Sequence, residues 1–270
     1  MPEFSEVRLT AEYITTINKS RHIVEIETLT SNKLKLIEGM DVVGKQLSAS
    51  SRGKELKLHI GNESMVITLG MSGGFRNFKT AKDNTDKHWK HSHLRFKMSD
   101  GEWFNWVDVR RFGKSLGRDW GVKRGADMFD DTDAFINNIL ENINHKDFDK
   151  PTYEVLMNQY WFNGIGNYLR AEIIGKWGCN PFQPMRNILS DKFLNHLIQQ
   201  VRESYILGGG KNYTWKTHNF DTTMIWDNWI KYYGRGEKII DKNKRTFWFD
   251  KKWLEKSEQL NVQKFYENEI

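Results

Sequence analysis

The chain has 270 residues, which is long enough for one large domain or two domains of ordinary size. Hydrophobic residues make up 38% of it and charged residues 28%, a balance that excludes a disordered chain, and no stretch approaches the ~18 consecutive apolar residues of a membrane-spanning helix. A formal net charge of +6 with eleven tryptophans fits a partner made of phosphates and bases, and the single cysteine, Cys179, excludes an intrachain disulfide and a cysteine-based zinc site.

The first half of the chain is predicted to be one helix followed by β-structure. Apolar residues recur at helical spacing over 1–14. From about 21 to 120 the apolar period changes to two, and Ser99-Asp100-Gly101 is a good hairpin turn. The alternating segments are 22–27, 56–60, 65–69, 93–98 and 102–107. This pattern predicts a mainly antiparallel domain of two packed sheets.

The second half is predicted to be helical, because the apolar period returns to that of a helix after Gly125. The first predicted helix is capped by Asp131-Thr132-Asp133 and carries apolar residues from Phe135 to Ile143. The others are 152–159, 167–177, closed by Gly178, and one that starts at Ser190 and ends at the glycines 208–210. A final hairpin is predicted from 238–240 and 246–249.

These elements predict an α+β fold with two domains. Residues 1–130 are expected to form a two-sheet antiparallel β-sandwich with an N-terminal helix. Residues 131–270 are expected to form a helical domain that carries a β-hairpin at about 232–250.

The first residues combine a nucleophile with two carboxylates. Removal of Met1 before a small residue is routine and leaves the secondary amine of Pro2, a good nucleophile toward an electrophilic carbon such as a sugar C1′. Glu3 lies beside it and Glu6 one helical turn further on, where they can move protons. The alternative is structural, because proline and glutamate are both favoured at the start of a helix.

Five motifs bear on this choice. They are Pro2-Glu3 with Glu6, Arg52-Gly53-Lys54, Leu69-Gly70-Met71-Ser72-Gly73, Asp108-Val109-Arg110-Arg111-Phe112-Gly113 and Asn163-Gly164-Ile165-Gly166-Asn167-Tyr168-Leu169-Arg170-Ala171-Glu172. In order and spacing they are similar to the Fpg/Nei family of DNA glycosylases, and the last resembles that family's helix–two-turn–helix motif. The resemblance runs from residue 2 to about 249 and implies a DNA repair enzyme.

The resemblance implies that the domain 1–130 is catalytic. Pro2 is expected to be the Schiff-base nucleophile, Glu3 the acid that opens the deoxyribose and Glu6 a supporting carboxylate. Lys54 is expected to hold a phosphate next to the lesion, although without the resemblance it reads as a solvated lysine at a strand edge.

The same resemblance implies that Met71, Arg110 and Phe112 fill the gap left when the damaged nucleotide is flipped out, and that Arg111 contacts a backbone phosphate. Flipping costs about a few kcal/mol, and a wedge that stacks on the orphaned base offsets part of it. The alternative is ordinary packing around a glycine-containing turn.

Asn167 and Arg245 are the DNA contacts expected in the second domain. Gly164 and Gly166 lack Cβ atoms, so backbone amides of the turn can approach a phosphate, and the Asn167 side chain adds a donor. The alternative to a phosphate-binding turn is a tight interhelical turn with only a structural role. Many family members carry a four-cysteine zinc finger here, and this chain keeps the hairpin without the cysteines. It looks like the zincless finger of the eukaryotic-type Nei-like enzymes, with Arg245 as the arginine that enters the minor groove.

No metal and no other cofactor is expected. Thr246, Phe247 and Trp248 favour a strand, so side-chain packing can replace a metal in the hairpin. His91 and His93 lie two residues apart on one strand, but with no cysteine or carboxylate partner nearby an ordinary surface pair is favoured over a pair of metal ligands.

The implied function is a bifunctional DNA glycosylase and AP lyase of base excision repair that acts by β,δ-elimination. Oxidised pyrimidines and ring-opened purines are favoured over 8-oxoguanine, and residues that contact the flipped base are expected in 208–225, including Lys211, Asn212 and Tyr213. The expected partner is double-stranded DNA with damaged bases or abasic sites, with single-stranded DNA left open. The protein is expected to be an intracellular monomer without membrane contact, in the nucleus or at a site of DNA replication and repair.

Two rival functions stay open. The same scaffold could bind damaged or branched DNA without chemistry, although a decayed enzyme need not keep Pro2, Glu3 and Lys54 together. A basic, β-rich RNA-binding protein is more distant, because the chain lacks an aromatic motif of the RNP type. Trapping of a covalent intermediate separates the enzyme from both.

Overall fold

The computed structural model describes residues 2–29, 37, 39–79, 88–210 and 227–254. The described residues up to Val122 form one compact unit, and those from Lys123 onward form a second. The predicted α+β class, with an N-terminal helix and two antiparallel sheets, is confirmed. The roles assigned to the domains 1–130 and 131–270 stay a prediction. Within the described part of the chain, no helix combines the length and the apolar character needed to cross a membrane.

The first unit consists of a helix and two sheets. Its described elements are α1 (Phe4–Ile17), β1 (Ile23–Thr28), β2 (Leu47–Arg52), β3 (Glu55–Ile60), β4 (Glu63–Thr68), β5 (Gly73–Phe78), β6 (Ser92–Met98), β7 (Trp103–Asp108) and β8 (Lys114–Gly117). One sheet has the strand order β1-β6-β7-β5 and the other β2-β3-β4-β8, and every pairing is antiparallel.

The alternation of apolar residues buries one face of each sheet in a shared core. In β3, Leu56, Leu58 and Ile60 are fully buried, whereas Lys57 and His59 between them are partly exposed. The same core cluster takes residues from the other sheet and from α1, among them Val7, Ile14, Phe75, Phe96 and Phe104. Because α1 also packs on β2, the start of the chain is tied to the sandwich.

The second unit contains helices and a hairpin. Its described elements are α2 (Thr132–Glu141), α3 (Thr152–Val155), α4 (Asn167–Trp177), α5 (Asp191–Ile206), β9 (Glu237–Ile240) and β10 (Thr246–Phe249). Gly178, with φ 79°, closes α4 as predicted, and the Ser190 hydroxyl accepts from the Phe193 N–H (3.3 Å) to cap α5. Asp131 occupies the N-cap position of α2 without a side-chain cap hydrogen bond.

The helix predicted over 152–159 is shorter than expected. It ends at Val155, because the polar side chains that follow bind the backbone of the next turn. Asn158 Oδ1 accepts from the Tyr160 N–H (3.0 Å), and Gln159 Nε2 donates to the Ile165 carbonyl (2.9 Å).

Helix α4 is buried on nearly all sides from Tyr168 to Gly175. The ring of Tyr232 lies directly over Gly175, in the space that a Cβ would occupy. A glycine inside a helix normally costs about 1 kcal/mol relative to alanine, so this glycine is explained by the close approach of the ring.

We predict that Gly175→Ala lowers the free energy of unfolding of the second unit by about 1–3 kcal/mol, because overpacking outweighs the gain in helix propensity. In a Tyr232→Ala background the same change should be neutral or stabilising. Urea unfolding of the four variants measures both effects, and a stabilising Gly175→Ala in the wild-type background would contradict the packing argument.

Candidate functional site

The N-terminus places Pro2 directly before a pair of mutually bonded glutamates. Glu3 is the N-cap of α1 and has an extended backbone, which is why the helix begins at Phe4 and not at residue 1. The Glu3 N–H donates to Glu6 Oε2 (2.7 Å), and the Glu3 side chain accepts from the Glu6 N–H, so the two form a capping box. Both side chains are buried, each 1% exposed, and Pro2 is buried beside them. Pro2 therefore precedes a capped helix start that buries two carboxylates.

Lys54 lies in the turn between β2 and β3. The turn is braced by the fully buried Glu55, which accepts from Arg52 Nη2 (2.9 Å) and from the Gly121 N–H (3.2 Å). Arg52 Nη2 also donates to the Gly121 carbonyl (2.6 Å), and Gly53 has φ 55°, in the left-handed region. These contacts hold the half-buried Lys54 at a fixed place on the sandwich.

Two loops, 69–72 and 109–113, lie against each other. A Cβ built on Gly70 would come within 2.6 Å of the Gly113 nitrogen, so the two backbones meet where only glycine fits. Met71 and Phe112, one on each loop, are exposed by 41% and 49%. The loop pair therefore presents two large apolar side chains on the surface of the first unit.

Asp108 organises this pair of loops. It is 1% exposed, and its Oδ1 accepts from the Ser72 hydroxyl (2.6 Å) and the Arg110 N–H (3.3 Å), while Oδ2 accepts from the Gly113 N–H (2.7 Å). The Ser72 oxygen in turn accepts from the Arg110 N–H (3.1 Å). Sequence reasoning quoted Asp108 within its motif but assigned it no role. The only sign of such a role in the sequence was that Asp108 ends an apolar strand and lies shortly before two arginines.

The two arginines of the loop, Arg110 and Arg111, differ in their contacts and backbone conformation. The Arg110 guanidinium lies 5.0 Å from the centre of the Phe112 ring, a cation–π contact. Arg111 has φ 57°, and its N–H donates to the Asp108 carbonyl (3.2 Å). Both side chains are exposed. The surface that results is apolar at Met71 and Phe112 and positively charged around them, a chemistry suited to unstacked bases and phosphates.

His93 lies on β6, and His91 lies immediately before that strand. His93 Nε2 lies 2.8 Å from the Asp108 carbonyl. Loss of solvation, followed by the positive charges of Lys90 and Arg111, lowers the pKa of His91. Among the residues that the structure describes, no group of three or more His, Cys, Asp and Glu side chains is arranged to hold a metal.

In the second unit, Gln159 shapes the turn before α4. Its Oε1 accepts from the Gly164 N–H (3.1 Å), and its Nε2 donates to the Ile165 carbonyl (2.9 Å). Asn163 Nδ2 donates to the Gly125 carbonyl (3.0 Å), and Gly164 has φ 105°. The glycine is required by the backbone conformation, and Gln159 is a second residue to which the sequence assigned no role.

Asn167 begins α4 and already has partners within the protein. Its Nδ2 donates to the Thr246 carbonyl (2.8 Å), and its Oδ1 accepts from Arg170 Nη2 (2.6 Å). The amide nitrogen carries two protons, and one of them has no hydrogen-bond partner among the described residues. Arg245, the other predicted contact of this unit, is exposed next to Thr246.

Glu172 anchors the chain that leads into the hairpin. Its carboxylate, fully buried, accepts from three successive backbone N–H groups, those of Lys231, Tyr232 and Tyr233, at 2.8–2.9 Å. The sequence motif contained Glu172, but its partners lie some sixty residues further along the chain. The predicted base contacts Lys211, Asn212 and Tyr213 lie outside the described residues.

We predict that Asp108→Asn loosens both loops. The amide nitrogen of the new asparagine faces Gly113 in one orientation and Ser72 with Arg110 in the other. In both orientations a donor replaces an acceptor, which should lower the free energy of unfolding by about 1–3 kcal/mol. Hydrogen exchange of the Arg110 and Gly113 amides should become faster, whereas Asp100→Asn, at the exposed turn between β6 and β7, should leave them unchanged. Unaltered exchange in Asp108→Asn would refute the assigned role.

Comparisons with known proteins agree with this arrangement. Residues 1–115 match the family model described as formamidopyrimidine-DNA glycosylase N-terminal domain. Endonuclease 8-like 1 of Homo sapiens is 32% identical in an alignment of length 242, which covers 76% of this chain and 60% of that protein. Formamidopyrimidine-DNA glycosylase of Bacillus subtilis is 26% identical in an alignment of length 220, which covers 76% of each chain. This chain thus spans about 60% of the length of Endonuclease 8-like 1.

Solved structures share the fold. The Lactococcus lactis Fpg protein in complex with DNA that contains an oxidised pyrimidine has a TM-score of 0.72 at 22% identity, over 92% of this chain and 98% of that chain. The MutM (Fpg) protein of Thermus thermophilus has a TM-score of 0.70 at 20% identity, over 92% and 97%. The chain is thus similar in sequence to formamidopyrimidine-DNA glycosylases over residues 1–115, and it shares the fold of solved Fpg structures over 92% of its length.

Proposed function

We propose that the protein is a bifunctional DNA glycosylase and AP lyase of base excision repair that removes oxidised bases through a Schiff base on Pro2. The observation that carries the proposal is the capping box, which buries Glu3 and Glu6 directly behind Pro2. The names of its sequence relatives, Endonuclease 8-like 1 and formamidopyrimidine-DNA glycosylase, support the same class of activity.

The proposed reaction begins once Met1 is removed. The amine of Pro2 attacks C1′ of the damaged nucleotide, a C–N bond to the enzyme forms, and the bond from C1′ to the base breaks. Glu3 protonates the ring oxygen, the deoxyribose opens, and the adduct becomes an iminium. Loss of a proton from C2′ expels the 3′ phosphate, and a second elimination expels the 5′ phosphate. The nucleophile is the main-chain amine of Pro2 and the acid is the Glu3 side chain, so no cofactor enters the scheme.

DNA binding is proposed to use the exposed groups of each unit. In the first unit, Met71, Arg110 and Phe112 occupy the gap left by the flipped nucleotide, and Lys54 and Arg111 contact phosphates. Their exposure and the positive charge around the apolar pair support these roles. In the second unit, Asn167 and Arg245 are proposed as DNA contacts.

We propose that the protein acts as a monomer in the nucleus or at another site of DNA replication and repair.

Oxidised pyrimidines and ring-opened purines are the proposed substrates. The higher identity to Endonuclease 8-like 1, 32% against 26% for the Bacillus subtilis formamidopyrimidine-DNA glycosylase, supports this choice over 8-oxoguanine. A protein that binds damaged DNA without chemistry is the remaining candidate, and the pairing of Pro2 with two buried carboxylates favours the enzyme.

Borohydride trapping on a labelled duplex with an abasic site or thymine glycol tests the mechanism. We predict a covalent band for the wild type, and its loss both in Pro2→Thr and in a protein with an uncleaved N-terminal extension, where the amine is an amide. Glu3→Gln keeps an oxygen for the cap but cannot give up a proton, so base excision should fall by at least about 10²-fold.

Glu12→Gln is the matched control for this experiment, because Glu12 lies on α1 with a side chain that is 41% exposed. It should trap like the wild type. If the wild type forms no covalent band on any lesion, with mass spectrometry showing that Met1 is gone, the catalytic proposal is wrong and a DNA-binding relative remains.

Single-turnover excision tests the substrate class. We predict that thymine glycol and formamidopyrimidine lesions are removed at least about tenfold faster than 8-oxoguanine, while cleavage at a preformed abasic site gives the reference rate of the lyase step. Faster removal of 8-oxoguanine would reverse the substrate assignment and leave the mechanism untouched.

A further inference from the structure

The hairpin of β9 and β10 must be held in place by the rest of the second unit, because an isolated two-stranded hairpin is at most marginally stable in water. Aromatic contacts hold the strands: Phe247 stacks on Tyr153 (5.1 Å between centroids, 15°), and Phe249 meets Phe182 edge-on (5.2 Å). These contacts end with β10 and leave the turn 241–245 to be ordered by other groups.

Asp241 orders that turn from within. Its Oδ1 accepts from the N–H groups of Asn243 and Arg245, both at 2.9 Å, and its own N–H donates to the Arg245 carbonyl (2.9 Å). The side chain is 3% exposed. Arg245, the residue proposed to enter the groove, is therefore bonded to Asp241 through both of its backbone polar groups.

Arg170 of α4 meets the other oxygen of this carboxylate. Its Nη1 lies 2.9 Å from Asp241 Oδ2, and its guanidinium stands 4.9 Å from the centre of the Phe247 ring. The side chain is fully buried, so its charge depends on this carboxylate for compensation. Burial alone would favour protonation of Asp241, but hydrogen bonds from the Arg245 backbone and from Arg170 outweigh it and lower the pKa of that carboxyl.

The same guanidinium orients Asn167. Nη2 donates to Asn167 Oδ1 (2.6 Å), so the amide nitrogen must point the other way, where one proton binds the Thr246 carbonyl (2.8 Å). Without Arg170, the amide would lose one of the two groups that fix its orientation, the other being the Thr246 carbonyl.

We propose that Arg170 and Asp241 are a positioning pair, which sets the backbone of Arg245 and the side-chain amide of Asn167 in one fixed arrangement for binding DNA. The proposal rests on the proposed function. An apolar pair of similar volume could hold the hairpin as well or better, but it could neither order the turn amides nor choose the direction of the Asn167 amide. The ion pair is thus explained by positioning and not by stability.

A double-mutant cycle with Asp241→Asn and Arg245→Ala tests the proposal, with the dissociation constant for a duplex carrying a stable abasic-site analogue as readout. Each single change should weaken binding about tenfold, the equivalent of one charge-assisted hydrogen bond. Because Asp241 acts through Arg245, Asp241→Asn should add less than about twofold in the Arg245→Ala background. Additive losses would overturn the proposal.

Two further variants serve as controls for effects on folding. Arg170→Met combined with Asp241→Asn removes both charges, so it leaves no uncompensated buried charge. It should fold and bind DNA more weakly than Asp241→Asn, because the Asn167 amide is released as well, and in the Arg245→Ala background only the loss that comes from Asn167 should remain. Arg21→Met removes a buried guanidinium that pairs with the exposed Asp100 (2.9 Å) in the first unit, and it should lower stability without changing the cycle. If the double variant folds and binds like the wild type, the pair has no positioning role.

The two proposals fail in different ways. Failure of the proposed function appears in the wild type, as absent DNA binding or absent covalent trapping. Failure of the positioning pair appears only in the cycle, in a wild type that binds and traps. At saturating DNA, the trapping rate of Asp241→Asn should stay within about twofold of the wild type, because the Pro2 chemistry is not touched.

Discussion

The hydrogen bond from the Glu3 N–H to Glu6 is part of the cap that starts α1 at Phe4, and the proposed chemistry depends on it. Because Glu3 is the N-cap and α1 packs on the sandwich, Pro2 has a fixed place at the end of a rigid helix. The structural and the catalytic interpretations of the two glutamates are therefore compatible, because the cap that starts the helix also buries two carboxylates close to Pro2 in the chain.

A similar arrangement recurs at several other loops of the chain. A buried carboxylate accepts backbone N–H groups of the loop, as Glu55, Asp108, Glu172 and Asp241 do. Such a carboxylate is costly to bury and is stable only while its donors stay in place, so the loop is held in one conformation while its exposed side chains project outward. A rigid loop with exposed arginines or apolar groups suits a partner that must itself be deformed.

Periodic patterns predicted much of the fold. Strands β3 and β6 could be predicted because one face of each is buried, which gives an alternating sequence. The helix over 167–177 could be predicted because Gly178 marks its end. Strand β2 was missed: it is rich in serine and buries only Leu47, and its strand state comes from pairing with β3. The roles of Asp108 and Glu172 were invisible for a related reason, because a carboxylate's partners are chosen by tertiary structure. The predicted site residues, in contrast, came from motif resemblance and stay predictions.

The most direct test of the central claim is to locate the covalent bond. The borohydride-trapped complex is digested with protease and nuclease, and tandem mass spectrometry identifies the residue that carries the deoxyribose remnant. The account predicts the remnant on the nitrogen of Pro2, in an N-terminal peptide that lacks Met1. A remnant on a lysine, Lys54 above all, with the N-terminal peptide unmodified, would contradict it.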